Sequence, residues 1–452
     1  MNSFNGFLDE LRGQIVTCAE ASAREKRRAA TSPRSRRRAW LLGALAALLL
    51  AGLALGVVLG RTSHPSAPAG RSQGTAAFVL PRSAGNRPSA SAEQGAKARP
   101  FPGYFLRDVV GCAEDDVWAV GYLSVVDEST GSEAIHSLIV HWDGGAWRQA
   151  RAPDWGDVYA ITVDSEGGAW AVAGGGVTAQ RGQRILRWDR HKWTAYPLPA
   201  GAGWIRDLVA VAPNDVWAVG ERTGSMITRG KFSWNPEHVS IVHWDGTSWN
   251  TVAAPQGSRR GFLMSVSATS ADDVWTVGRS DGADGRSLGN LVLHWDGRAW
   301  SSVHSVYRGD DAWLLTVAAI GRDDVWAGGG DLLQHWDGLA WRKVPHDFST
   351  YSQLSALSAS DIWLAAGRRG VVHWDGLRWR PLTFYGMGVA SADRRMMAEA
   401  VTAVSERSVW VVGEVWPRHA SGGFPIAMPL ILHWDGISWR VIVDSVKRSA
   451  TE

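Results

Sequence analysis

From residue 101 onward, apolar residues come in short runs of four to six, separated by turn-forming residues. One stretch shows the pattern: "LVAVA" from Leu208, "DVWAVG" from Asp215, "VSIVHW" from Val239 and "SWNTV" from Ser248. Pro-Asn, a long polar segment and Asp-Gly-Thr separate the four runs. Runs this short, rich in Val, Ile and Trp and bounded by turn signals, predict β-strands. Helical periodicity over longer segments is missing, which excludes a solenoid of helix pairs. The four-run pattern recurs, and three tryptophans mark each copy. The first series is Trp118, Trp170, Trp217, Trp275, Trp326, Trp363 and Trp410, with a mean period of about 49 residues. Each is followed by a pair five residues apart, from Trp142/Trp147 in the first copy to Trp434/Trp439 in the last. Seven copies of four strands predict a seven-bladed β-propeller.

The paired tryptophans sit in "HWDGGAW" from His141 and its near copies from His243, His294, His335, His373 and His433. Asp-Gly predicts a tight turn between third and fourth strands, which sets the two indoles opposite each other on one hairpin face. They should fill the wedge between blades together with the second-strand tryptophan. The second copy departs from the pattern: "RWDRHKW" from Arg187 lacks the His and the Gly, and "GGAWAVAGG" from Gly167 lacks the Asp. A less regular turn is expected there. The acid pairs Asp115/Asp116, Asp272/Asp273 and Asp323/Asp324 read as turn residues ahead of strand two.

Upstream the pattern changes. Residues 39–60 form 22 consecutive uncharged residues, mostly apolar; as a helix they would span roughly 33 Å, enough for a bilayer core. Four arginines (Arg34, Arg36, Arg37, Arg38) precede the run and only Arg61 follows closely, which places the N-terminus in the cytoplasm. A cleaved signal peptide fits less well, because its apolar region is usually only about 7–15 residues long. Helical spacing of Phe4, Phe7, Leu8, Leu11 and Ile15 predicts a short cytoplasmic helix. Residues 61–100, rich in Ser, Ala, Pro and Gly, read as a flexible linker. The expected organisation is therefore 1–38 cytoplasmic basic segment, 39–60 transmembrane helix, 61–100 linker, 101–445 propeller and 446–452 tail. The fold class is all-β, with one membrane helix and one short cytoplasmic helix ahead of the propeller.

Charge adds one exclusion. The net +3 of the chain conceals residues 101–452, with 32 Lys/Arg against 39 Asp/Glu, a net −7. An acidic domain argues against nucleic-acid binding. Cys18 and Cys112, the two cysteines, fall on opposite sides of the expected membrane segment, and neither lies in a Cys/His cluster. The histidines of HWDG lie one per blade and cannot converge on one ion, so no metal site and no cofactor are expected.

The "DVWAVG…HWDG..W" repeats resemble those of bacterial propellers in the broad company of kelch-like and Asp-box (BNR-like) proteins, over about residues 101–445. The resemblance implies the fold; such propellers range from enzymes to binding platforms. "WD" ends the third strand as in WD repeats, but the upstream Gly-His of those repeats is absent.

Loops joining second to third strands, and blade to blade, vary in length, from 221–240 down to the minimal "RRG" of 368–370. Both classes emerge on one face, where binding function tends to reside. Just before each innermost strand stands a large side chain: Phe105, Trp155, Trp204, Phe262, Trp313, Tyr351 and Met397. These are the candidate ligand-binding residues, one per blade around the channel mouth. Two readings stand: plugs between blades, or an aromatic mouth that stacks sugar rings or apolar groups.

Three functions are compatible with this plan. The first is a binding or scaffold module at the cell (inner) membrane, holding a protein or glycan partner outside the cytoplasm. The second is a propeller-fold enzyme, a glycosidase or lyase; a sialidase-like site would require arginines such as Arg107, Arg206, Arg259 and Arg260 to converge. The third is a transmembrane sensor. No catalytic cluster can be named from sequence, which favours the first. Aperiodic charges gathered at the mouth would favour the second.

Overall fold

Each repeat folds as the alternation of runs and turns dictates. The computed structural model describes residues 103–126, 132–174, 182–223, 227–229, 232–234, 237–282, 287–306, 313–348, 353–387, 394–417 and 427–443. The expected cytoplasmic helix, membrane helix and linker lie outside them. Among the described residues no helix is long and apolar enough to cross a membrane.

Seven antiparallel four-stranded sheets each take four strands in sequence order from one stretch of chain, making seven blades. Blade 1 begins with strand Gly103–Ala113 and blade 7 ends with strand Trp439–Val443. A small extra hairpin, strands Ile227–Arg229 and Phe232–Trp234, rises from the long loop of blade 3.

The hydrophobic core lies between blades. Each interface holds one cluster built from two neighbours, and the cluster containing Leu106, Trp147, Trp410 and Ile431 joins blade 7 to blade 1. The tryptophan logic holds at every junction. Trp142 pairs with Trp147 across the hairpin, and their rings, 6.1 Å apart, pack on Trp410 of the preceding blade at 5.2 and 5.4 Å. Trp244 and Trp249 meet Trp170 in the same way, and Trp295 and Trp300 meet Trp217. Tilted and T-shaped indole contacts of this kind add about 0.5–1.5 kcal/mol each beyond burial.

The acid of "DVW" has more work than a turn residue, which corrects the expectation for Asp116, Asp273 and Asp324. Asp116 Oδ1 lies 2.7 Å from His141 Nε2, Asp273 Oδ1 2.8 Å from His294 Nε2 and Asp324 Oδ1 2.8 Å from His335 Nε2. The second-strand tryptophan stacks on the same imidazole, at 4.0 Å for Trp118 and His141. Blade 7 has Ser408 at this position, 3.2 Å from His433.

Blade 2 also corrects an expectation: its turn is as regular as the others. Trp188 pairs with Trp193, and Asp189 accepts the amides of His191 and Lys192. Arg190, with φ of 72°, takes the left-handed place glycine fills elsewhere. Arg187, in place of His, lays its guanidinium 4.7 Å from the Trp170 ring, so a cation–π contact replaces the imidazole stack.

Around the channel, side chains of one innermost strand accept backbone N–H groups of the next. Asp108 accepts from Ile161 at 2.8 Å, Thr162 from Ala210 at 3.2 Å and Asp207 from Val266 at 2.9 Å. Ser265 accepts from Val317 at 3.3 Å, Thr316 from Leu354 at 2.9 Å and Gln353 from Val401 at 3.2 Å. The free inner edges of the sheets are thereby satisfied and fastened together.

Candidate functional site

The mouth of the channel is shaped by a β-bulge. Pairing of the two inner strands skips Arg107 in blade 1, Tyr159 in blade 2, Arg206 in blade 3, Met264 in blade 4 and Glu399 in blade 7. A bulge bends the strand and re-aims its side chains. The inner strand's backbone also lies hard against the glycine that ends the second-strand motif in blades 1, 3, 4 and 7, while blade 2 carries Ala173 there. A Cβ on Gly220 would overlap the Trp204 carbonyl oxygen, and one on Gly278 or Gly413 would overlap that of Phe262 or Met397.

Phe105, Trp204, Phe262 and Met397 therefore lie inside the innermost strands, which start earlier than the apolar runs indicate: Trp204 opens its strand at 204–212. Trp155 and Trp313 precede theirs. Tyr351 lies outside the described residues. These six residues do not behave alike. Phe105 stacks on Tyr122 at 4.4 Å and meets Trp416 of blade 7 edge-on at 5.6 Å. Phe262 is buried, T-shaped to Trp313 at 5.7 Å. Trp204 stacks on Tyr159 of blade 2 at 5.8 Å. Trp204 stays 37% exposed, and Trp313 44%.

Arginines brace these rings. Arg184 lies 4.4 Å from the Trp155 ring; Arg279 lies 4.7 Å from Phe262 and 5.4 Å from Trp313. Carboxylates hold the arginines in turn. Arg206 forms two 2.7 Å bonds to Glu221, and Arg279 bonds Asp281 at 2.8 and 3.0 Å. Trp155 is positioned from its backbone, its N–H donated to the Ser137 hydroxyl at 3.0 Å.

Across blades 7, 1 and 2 the mouth gathers several charged groups. Arg107 lies 3.8 Å from Asp157 and 5.1 Å from the Tyr122 ring. Burial lifts the Asp157 carboxyl to about 6, against the pull of Arg107. Burial also raises Glu399, with Arg107 opposing, and raises Glu414, where the Glu399 charge adds to the effect. The Tyr122 hydroxyl is pushed up by burial and by the neighbouring carboxylates. Deeper in the neck, Asp108 accepts from Val109 at 2.8 Å and from Gln353 Nε2 at 2.8 Å. Burial and the charge of Asp207 raise Asp108 to about 7, and burial raises Asp207 to about 6.

Reading the repeats one against another could have found this cluster. Arg107, Arg206, Met264 and Glu399 all stand two residues after the mouth residue, and this position changes character from blade to blade. Arg107 and Arg206 stand in the mouth, but Arg206 is spent on Glu221, and Arg259 borders a different hollow, beside Arg222 and Ser240. No group of three or more His, Cys, Asp or Glu placed to hold a metal ion occurs among the described residues.

No family model matches the chain, and no curated protein matches it. Among solved structures it is similar to YCF48 bound to D1 peptide, at 13% identity over 75% of this chain and 99% of that one, with a TM-score of 0.46. It is similar to the β-propeller domain of the Trilobed protease from Pyrococcus furiosus, at 10% identity over 77% and 99%, with a TM-score of 0.47. It is also similar to the acylaminoacyl peptidase of Pyrococcus horikoshii, at 13% identity, 76% coverage and a TM-score of 0.48; the chain spans about half the length of that enzyme. Likeness at this level carries nothing about ligand or activity.

Proposed function

We propose that this protein is a binding or scaffold module, anchored in the cell (inner) membrane through residues 39–60 and presenting its propeller outside the cytoplasm. Its partner is a protein or glycan held on the variable face. The observation that carries the reading is the pair of half-open indoles, Trp204 and Trp313, each backed by an aromatic ring, with Arg279 also beside Trp313. Rigid, pre-positioned aromatic faces bind rings and apolar groups with little loss of conformational entropy. The closed ring of interlocked blades gives them a stiff base, and the chain enters the propeller beside this face, at strand Gly103–Ala113.

The test is capture of partners from cell extract and on a glycan array by the full chain in detergent micelles. Trp204→Ala with Trp313→Ala should abolish capture at unchanged melting temperature. Removal of the blade 3 loop segment 224–236 should weaken it. Full capture by both variants would refute the variable-face reading.

One observation favours a second reading, a propeller-fold glycosidase or lyase. The Arg107–Asp157–Glu399–Glu414–Tyr122 group draws on three blades, and several of its pKa values are displaced, as acid–base sites require. Turnover of a captured glycan by the wild type, lost in Glu414→Gln with capture retained, would establish it.

A further inference from the structure

The variable face has a second recess, away from the channel. It lies at the junction of blades 6 and 7, has a volume of about 680 Å³, and is bordered by Arg368, Arg369, Thr383, Tyr385, Arg395 and Asp347. Blade 6, like blade 5, turns back from second to third strand in a short loop, here around "RRG", and Thr383, Phe384 and Tyr385 after its outer strand form the wall beside the gap. That turn is firmly held. The Arg369 amide donates to Ala366 O at 3.1 Å, and the Ala398 amide of blade 7 donates to Gly367 O at 3.0 Å. Gly367 and Gly370, both at positive φ, bracket the two arginines, so the guanidinium stems leave a fixed backbone.

The three arginines differ from those that meet acids: Arg107 with Asp157, Arg148 with Asp143, Arg206 with Glu221, Arg279 with Asp281 and Arg342 with Asp337. Among the described residues, the side chains of Arg368, Arg369 and Arg395 form no ion pair or hydrogen bond, although residues 101–452 as a whole are acidic by seven charges. Unpaired guanidinium groups around one recess form a fork for carboxylate or sulfate oxygens. Tyr385, 67% exposed, offers a ring face and a hydroxyl beside them, and Thr383 offers another hydroxyl. A peptide strand cannot add at the adjacent sheet edge, because the outer strand of blade 6, Trp379–Leu382, carries Pro381. The volume lies within the range of about 300–1,000 Å³ typical of ligand clefts.

We infer that this recess binds an acidic oligosaccharide, through Arg368, Arg369 and Arg395 on its acid groups and Tyr385 on a sugar ring. The inference rests on the reading of the variable face as a binding surface, and names the chemistry of one ligand that it takes. Calorimetry on the full chain in detergent micelles tests it with four probes: tri-galacturonate, a heparin-derived trisaccharide, galactotriose and tri-glutamate. Tri-galacturonate or the sulfated trisaccharide should bind, the stronger of the two identifying carboxylate or sulfate ester as the preferred group. Affinity should fall with added salt, and galactotriose should bind at least tenfold more weakly. R368Q/R369Q/R395Q should lose at least tenfold in affinity without a change in melting temperature, while R148Q, on the outer strand of blade 1, should bind as wild type. Tri-glutamate binding as tightly as the sugars would make the ligand an acidic peptide and overturn the inference. So would undiminished binding by the triple variant, or no binding of either acidic sugar. If W204A/W313A abolished sugar binding while the arginine variant kept it, the recess would be wrong and the channel mouth right.

Discussion

Replacing Gly220 by alanine tests whether the bulge that builds the mouth depends on an absent side chain. Gly220 is not at positive φ, so alanine suits its backbone, and in an open strand the change would stabilise by about 0.5–1 kcal/mol. Here the new Cβ would overlap the Trp204 carbonyl oxygen and stand 2.9 Å from both the carbonyl carbon and Ile205 Cα. Carbon atoms rest at about 3.5–4.0 Å. The obstacle is main chain on both sides, so no rotamer change relieves it. Overpacking of this kind costs about 1–3 kcal/mol, and the shift loosens the ladder that joins Gly220 to Ile205. We expect a net loss of about 2–3 kcal/mol, which at roughly 2 °C per kcal/mol for a domain of this size lowers the melting temperature by about 4–6 °C. Trp204 must move with its carbonyl, so partner capture should fall as well. The assay is thermal unfolding followed by near-ultraviolet circular dichroism, beside capture measured well below the transition. Blade 2 supplies the control, since it carries Ala173 at the matching position, and Ala173→Gly should destabilise mildly. A Gly220→Ala protein with wild-type melting and capture would show that the bulge has room to spare and that the account of the mouth is wrong.

Other outcomes follow from the same contacts. Arg190→Gly removes a left-handed arginine at a conformational gain of about 1–2 kcal/mol, less the 3.0 Å bond from Arg190 to Glu166 O; chemical denaturation should show a net gain of about 1 kcal/mol, and a loss would contradict the turn geometry. Burial depresses the His433 pKa, and Ser408→Asp would supply the carboxylate that other blades have, so imidazole titration by NMR should show a rise. Stability should fall as pH rises from about 4 to 7. An unfolded chain releases the protons of Asp108 and Asp207 near pH 4, whereas the folded chain holds them to about 7 and about 6, so their contribution is full at low pH and is lost on the way up. Asp207→Asn should flatten that decline in urea titrations while lowering stability at every pH, since it loses one acceptor for Leu208 or Val266. A decline as steep as wild type would assign it to other groups.

Spacing from the second-strand tryptophan marked Phe105, Trp204, Phe262 and Trp313, and these share one place in the blade, each with its carbonyl oxygen against the glycine that ends the second-strand motif. It did not separate Phe262, which is buried, from Trp204 and Trp313, which are open; that depends on what the neighbouring blade sets against each ring. The bulge was invisible because an extra residue in a strand leaves no composition signal, so comparison of the repeats could mark Arg107 and Glu399 as a position that changes character but not how the bulge aims them.

By itself the sequence determined the seven sheets, their four-strand order and the register of the outer hairpins, down to Trp142 facing Trp147. These are contacts between neighbours in the chain, written seven times over, and each copy corroborates the rest. Only the tertiary structure decided which unrepeated residues meet. Gln353 reaches Asp108 across 245 residues of sequence, and Arg107 comes under the influence of Glu399 and Glu414 only because the ring closes blade 7 onto blade 1. A closed ring brings distant segments together through geometry that no local pattern encodes.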